Sequence, residues 1–287
     1  MFNLYIRSLY STIRPLKFAI QGYADDHQIY QAFNSVNQYS VLVNELHAWF
    51  NEIREWMAAH YLQLNAGKTE IIVLGTPKIL TEISIHGSYV SYEACIRFSP
   101  VVKNLGFRLE NHLTLQKQVS HLKSVCYNKL RNIAKMKCFL IKTQLTMLTQ
   151  ATISCSLDYC NAIYYGCNSS IMRELRNIQN RACKLIFGLK RQDGVTRYLT
   201  PLHWLTIKFR IEFKLIVLVH KFLHGSAPAY LINILCPTNI TTFSAVSLHV
   251  PAITAPRAFS KAGLLLHGIH SLLNSEILRT VKYLKRA

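Results

Sequence analysis

Two aspartates stand side by side in the stretch Gly22-Tyr23-Ala24-Asp25-Asp26-His27-Gln28-Ile29-Tyr30, in a chain with only 14 acids against 33 Lys and Arg. Adjacent carboxylates repel unless a cation neutralises them. Their oxygens are hard donors of the kind Mg2+ selects. Two such ions held about 3.5–4 Å apart activate an attacking hydroxyl and stabilise the leaving oxygen of an in-line displacement. In a chain that binds a polyanion, this chemistry would be nucleotidyl transfer, with a 3′-hydroxyl attacking and pyrophosphate leaving. A plainer reading stays open beside it: Asp favours turns because its side chain bonds nearby backbone groups.

The partner is expected to be a polyanion. Net charge is +19 and the pI near 9.7. Such a balance points to nucleic acid before a membrane surface, although a basic chain can simply be well solvated. Half of the residues are hydrophobic and 16% are charged, which excludes a disordered chain. At 287 residues, a sizeable core can be buried. The eight cysteines form no CxxC pair, so a zinc site is not expected. Most lie in apolar helical patterns, where a free thiol packs as a small hydrophobe. No secretory signal is evident, and an intracellular protein is expected, with nucleus or cytoplasm left open. The first 24 residues, with Arg7, Arg14 and Lys17 and no acid, weakly resemble a transit peptide. The apolar run Leu215 to Val219 is far too short to span a bilayer, and no membrane partner is expected.

The elements that must position the aspartates follow from periodicity. Phe18 to Phe33 reads as a hairpin with Asp25 and Asp26 at its turn. Leu42, Leu46, Trp49, Ile53 and Trp56 make one helical stripe. Ala66-Gly67-Lys68 reads as a turn before a strand, Thr69 to Leu74, that ends at Gly75-Thr76-Pro77. Ile83 to Tyr92 reads as a further hairpin arm, and Val101 to Phe107 as a short strand whose glycine lets a backbone approach. Helices then dominate. Val119, Leu122, Cys126, Leu130 and Ile133 form a stripe, with Lys117, Ser124, Asn128, Arg131 and Lys135 on the opposite face. A second, very apolar helix is expected from about Lys142 to Tyr165. A third follows Ser169-Ser170, with Leu175, Ile178, Ala182 and Leu185 inside and Arg173, Arg176, Arg181 and Lys184 toward solvent. Each basic face is either a wet helix surface or a nucleic-acid contact, and the uniform sign favours contact. Lys190 to Thr200 reads as a basic link, Pro201 to Leu223 as helical, Cys236 to Pro256 as irregular, and Ala258 to Leu284 as helical pieces.

The stretch Gly22 to Tyr30 resembles motif C of reverse transcriptases, the (Y/F)xDD hairpin of the palm. Its neighbours, in order, resemble those of non-LTR (LINE-type) retrotransposons. Phe2-Asn3-Leu4-Tyr5-Ile6 is similar to the tail of motif B. Trp56 to Gly75, with Leu62-Gln63-Leu64-Asn65 and Lys68-Thr69, is similar to motif D. Lys103-Asn104-Leu105-Gly106-Phe107 is similar to motif E, the primer grip. Asp158-Tyr159-Cys160-Asn161, Ile178 to Ala182, Leu202 to Leu205, Arg210-Ile211, Phe213-Lys214 and Ala227 to Leu231 resemble the thumb and following region of the jockey and chicken-repeat elements. Arg257-Ala258-Phe259-Ser260 resembles the last family block, although its usual Leu-Trp-Asn is degraded here to something like Leu266-His267-Gly268. The resemblance covers nearly the whole chain.

The resemblance implies an α+β fold. A partial palm would span 1–110, a helical thumb 111–190 and a helical C-terminal region 191–287. It implies that Asp25 and Asp26 are metal ligands for Mg2+ and that Tyr23 and Ala24 line the primer end. Lys68 would protonate departing pyrophosphate, or else is an exposed turn lysine. Leu105 and Gly106 would let the backbone approach the primer, and Lys117, Arg131 and Lys135 would contact nucleic acid. The implied partners are an RNA template, a DNA primer and, in a full-length enzyme, a dNTP. The family's third carboxylate lies in motif A, upstream of motif B, and no acid precedes Asp25 here. The C-terminal part of a retrotransposon polymerase, from a truncated copy or a partial gene prediction and inactive by itself, is therefore expected. The alternatives are a non-catalytic nucleic-acid-binding remnant and a translated pseudogene.

Overall fold

The apolar stripe from Leu42 to Trp56 does form a helix, α1, Val36–Ala59. The computed structural model describes residues 6, 8–9, 19–24, 26–32, 36–85, 99–227, 236–237 and 248–249. These residues mix helices with antiparallel strand pairs, and they belong to two compact units, one reaching Leu113 and the other beginning at Thr114.

In the first unit, strands β1 (Ala19–Tyr23) and β2 (Asp26–Tyr30) pair antiparallel, with Ile20 opposite Ile29 and Tyr23 opposite Asp26. Period-2 alternation divides their side chains. Ile20 and Ile29 share one face and pack on a core of Ile6, Leu9, Trp49, Phe50, Ile53 and Trp56. Gln21, Tyr23, Asp26 and Gln28 share the other face. Because the pairing closes at Tyr23 and Asp26, the turn begins at Ala24, and Asp26 is the first residue of β2 rather than part of the turn. Asp25 lies outside the described residues, as do most residues of the motif B-like stretch and the segments 228–231 and 257–284.

Three sequence expectations in this unit change. The segment 69–74 makes one bridge, at Ile71, instead of a full strand: Ser99 N donates to Ile71 O (2.7 Å) and Gly75 N to Asn111 O (3.1 Å). Ile83 belongs to a helix, α2 (Pro77–Ile85), not to a hairpin arm, and 86–92 lie outside the described residues. Proline's fixed φ suits the first helical turn, so Pro77 opens α2 rather than merely ending a strand. Val101 to Phe107 is two strands, β3 (Val101–Asn104) and β4 (Phe107–Glu110), turning at Leu105-Gly106. Both turn residues have positive φ (45° and 84°), which a two-residue turn matched to strand twist requires.

In the second unit, helix α3 (Gln116–Met136) buries the expected stripe of Val119, Leu122, Cys126, Leu130 and Ile133. It packs on α5 (Ser169–Phe187), whose start is capped by the Asn168 side chain accepting from Ile171 N at 2.9 Å. Helix α6 (Ile207–Leu223) buries Ile207, Ile211, Leu215, Val219 and Phe222 against α5 and the turn Asn161–Tyr164. A single helical turn, Thr196–Leu199, interrupts the basic link. The helix expected from Lys142 to Tyr165 is broken into α4 (Lys142–Thr149), a wide π-turn (Gln150–Ser154) and a last α-turn (Cys155–Asp158). Thr152 and Ser156 hydroxyls bond the carbonyls four residues back (both 2.7 Å), a habit that loosens helices. Lys129 from α3 donates to Thr152 O (3.3 Å) and Ser156 Oγ (3.0 Å) beside the distortion. Cys236-Pro237 pairs with Leu248-His249 inside the stretch expected to be irregular.

Candidate functional site

Asp26 is held by the hairpin register, exposed, on the face of β2 turned away from the Ile20–Ile29 core. Tyr23, directly opposite, is 69% exposed. Ala24 has φ of 56°, a left-handed conformation that a residue with a Cβ rarely adopts. A polar contact joins this hairpin to the next. Gln28, two residues along β2 on the Asp26 face, donates from Nε2 to Asn104 Oδ1 at 2.7 Å. Asn104 is the last residue before the Leu105-Gly106 turn. The acidic strand and the glycine-containing turn, 76 residues apart in sequence, are thereby brought together. Neither Gln28 nor Asn104 stands out in the sequence, because an amide pair at that separation leaves no local signal.

Lys68 closes a 3-10 turn, Ala66–Lys68, built by Asn65. The Asn65 carbonyl accepts from Lys68 N (3.1 Å) and from Thr69 Oγ1 (2.9 Å), and its side chain accepts from Lys68 N (3.2 Å). Asn is suited to this because its short amide mimics a backbone turn. Lys68 itself is exposed. The chain leaving it runs past Ile71 to Gly75, whose bond to Asn111 fixes it at the open end of the β3–β4 hairpin.

Asp26 offers the hard oxygen that Mg2+ takes, but among the described residues no three His, Cys, Asp or Glu side chains gather to hold an ion.

The basic faces belong to the second unit. Lys117, Ser124, Asn128, Arg131 and Lys135 are all exposed on α3, and Arg173, Arg176 and Arg181 on α5; Lys184 is half-buried. Lys123, between the two helices, is taken up by Glu174 at 2.7 Å, and that bond raises its pKa. Arg210 holds both oxygens of Asp158 at 2.9 Å, so the Asp158-Tyr159-Cys160-Asn161 stretch serves here to fasten the end of the π-turn segment to α6. Burial pushes the Cys126 thiol up to about 11 and the Tyr164 hydroxyl up to about 12, and it raises Cys183. These groups are packing elements rather than nucleophiles. No helix among the described residues is long and apolar enough to cross a membrane.

No family model, curated protein or solved structure matches the chain.

Proposed function

We propose that this chain supplies palm and thumb elements of an RNA-directed DNA polymerase of the non-LTR retrotransposon type. The observation that carries the reading is the Gln28–Asn104 hydrogen bond. It supports placing the Asp25-Asp26 pair and the Leu105-Gly106 turn at one site, as the ordered motif series implies. In this reading Asp25 and Asp26 are two carboxylates of the metal set. Tyr23 and Ala24 face the primer end, Leu105 and Gly106 admit its backbone, and Lys68 is the proton donor to pyrophosphate. Lys117, Arg131 and Lys135 hold the RNA–DNA hybrid by its phosphates. In this reading the family's third carboxylate, from motif A, completes the metal set.

A second reading, a nucleic-acid-binding protein without chemistry, is favoured by the exposed basic faces of α3 and α5. Both readings require binding. Affinity for an RNA–DNA hybrid should fall linearly in log–log form with salt. Replacing Lys117, Arg131 and Lys135 with Gln should lower that slope by about one for each phosphate left without its cation. Affinity no better than that of an unrelated protein of equal charge would remove both readings.

A further inference from the structure

Apart from Lys135, one stretch of the second unit has no part in the proposed function. Residues 135–142 read Lys-Met-Lys-Cys-Phe-Leu-Ile-Lys, three cations interleaved with apolar side chains and no acid. It forms the end of α3, the 3-10 turn Lys137–Phe139 and the start of α4. The apolar side chains are not buried: Met136 is 44%, Ile141 65% and Phe139 84% exposed. A Phe left in water forfeits roughly 2–3 kcal/mol of burial, and three exposed apolar side chains grouped in one stretch, unlike a lone one, mark a contact surface.

The neighbours state its chemistry. The C-terminal end of α5 lies against the turn, with the Lys142 ammonium 4.2 Å from the Phe187 ring centroid and Lys137 Nζ 3.4 Å from where a Cβ on Gly188 would stand. Lys135 is exposed one turn along α3 from Arg131, so the cationic face of α3 runs into the stretch. Three apolar side chains cover far less than the ~800 Å² per partner that a stable protein interface buries. A single protruding ring among lysines is instead the arrangement that binds unpaired nucleic acid. The base stacks on the ring, and the cations take the flanking phosphates.

We propose that Phe139 is a stacking platform for an unpaired base of a single-stranded segment, with Lys135, Lys137 and Lys142 holding the adjoining backbone. This rests on the nucleic-acid reading above and adds a strand class to it, single strand beside the hybrid. The test measures binding of the full chain to a blunt RNA–DNA duplex, to the same duplex with a short single-stranded overhang, and to phosphatidylserine vesicles. Phe139→Ala should weaken overhang binding about tenfold and leave blunt-duplex binding and the urea midpoint unchanged, whereas Phe139→Trp should keep the overhang affinity. If Phe139→Ala binds the overhang like the parent while the blunt duplex is bound, the platform is refuted and the nucleic-acid reading stands. Failure to bind either duplex refutes both. Phe139-dependent binding to vesicles with no effect on the overhang would make an anionic membrane the occupant and overturn the proposal.

Discussion

Ala24 shows how residue identity and backbone conflict beside the acidic pair. At φ 56° its Cβ is crowded against its own backbone, at a cost of roughly 1 kcal/mol. Ala24→Gly should raise stability by a few tenths to about 1 kcal/mol, the gain being partly offset by a freer unfolded chain. Urea denaturation of the full chain measures it, and an unchanged or lowered midpoint would mean that the turn is not strained. Trp49 is fully buried, edge-on to Phe50 with ring centroids 5.5 Å apart. Trp49→Ala should cost about 3–5 kcal/mol and unfold the first unit before the second. Cys126 and Tyr164 give the pH dependence. Their ordinary values of 9.0 and 10.0 rise to about 11 and about 12 in the fold. Below pH 9 both states keep both protons. From there to about 12 the unfolded chain releases protons that the folded chain retains, so stability falls with rising pH. The urea midpoint should drop between neutral pH and about 10.5, and less so in Cys126→Ala.

The elements carry a second strained position. Helix α1 ends with Leu62 N bonded to Met57 O (2.8 Å) and Tyr61 N to Ala58 O (3.2 Å), the paired bonds of a left-handed helix stop. The left-handed residue is Tyr61, at φ 57°, where glycine is usual, and its ring is 97% exposed. Tyr61→Gly should therefore stabilise the first unit by about 0.5–1 kcal/mol, as read by urea midpoint. This stop is illegible in the sequence because its usual glycine is missing. What the sequence does show are elements with an uninterrupted period: the α1 stripe, the buried stripe and basic face of α3, and the inside and outside of α5. Elements set by one or two local residues escape such a reading. Pro77 opens a helix, Leu105-Gly106 turns a hairpin, and the hydroxyls of Thr152 and Ser156 accompany a π-turn in what looks like one long helix. The first hairpin is legible, yet its register places Asp26 on the strand. The Gln28–Asn104 bond depends on long-range packing and has no local trace.

At the scale of the whole molecule, the charge is unevenly divided. The acidic pair lies in the unit ending at Leu113, and the basic faces of α3 and α5 lie in the unit beginning at Thr114. The claim at the centre is that Asp25 and Asp26 serve nucleotidyl transfer. Its most direct test is RNA-templated primer extension by a polypeptide that joins this chain to a segment carrying the third carboxylate. The parent should extend the primer in Mg2+, and Asp25→Asn should abolish extension while leaving hybrid affinity unchanged. Extension by Asp25→Asn at the parent's rate would contradict the account.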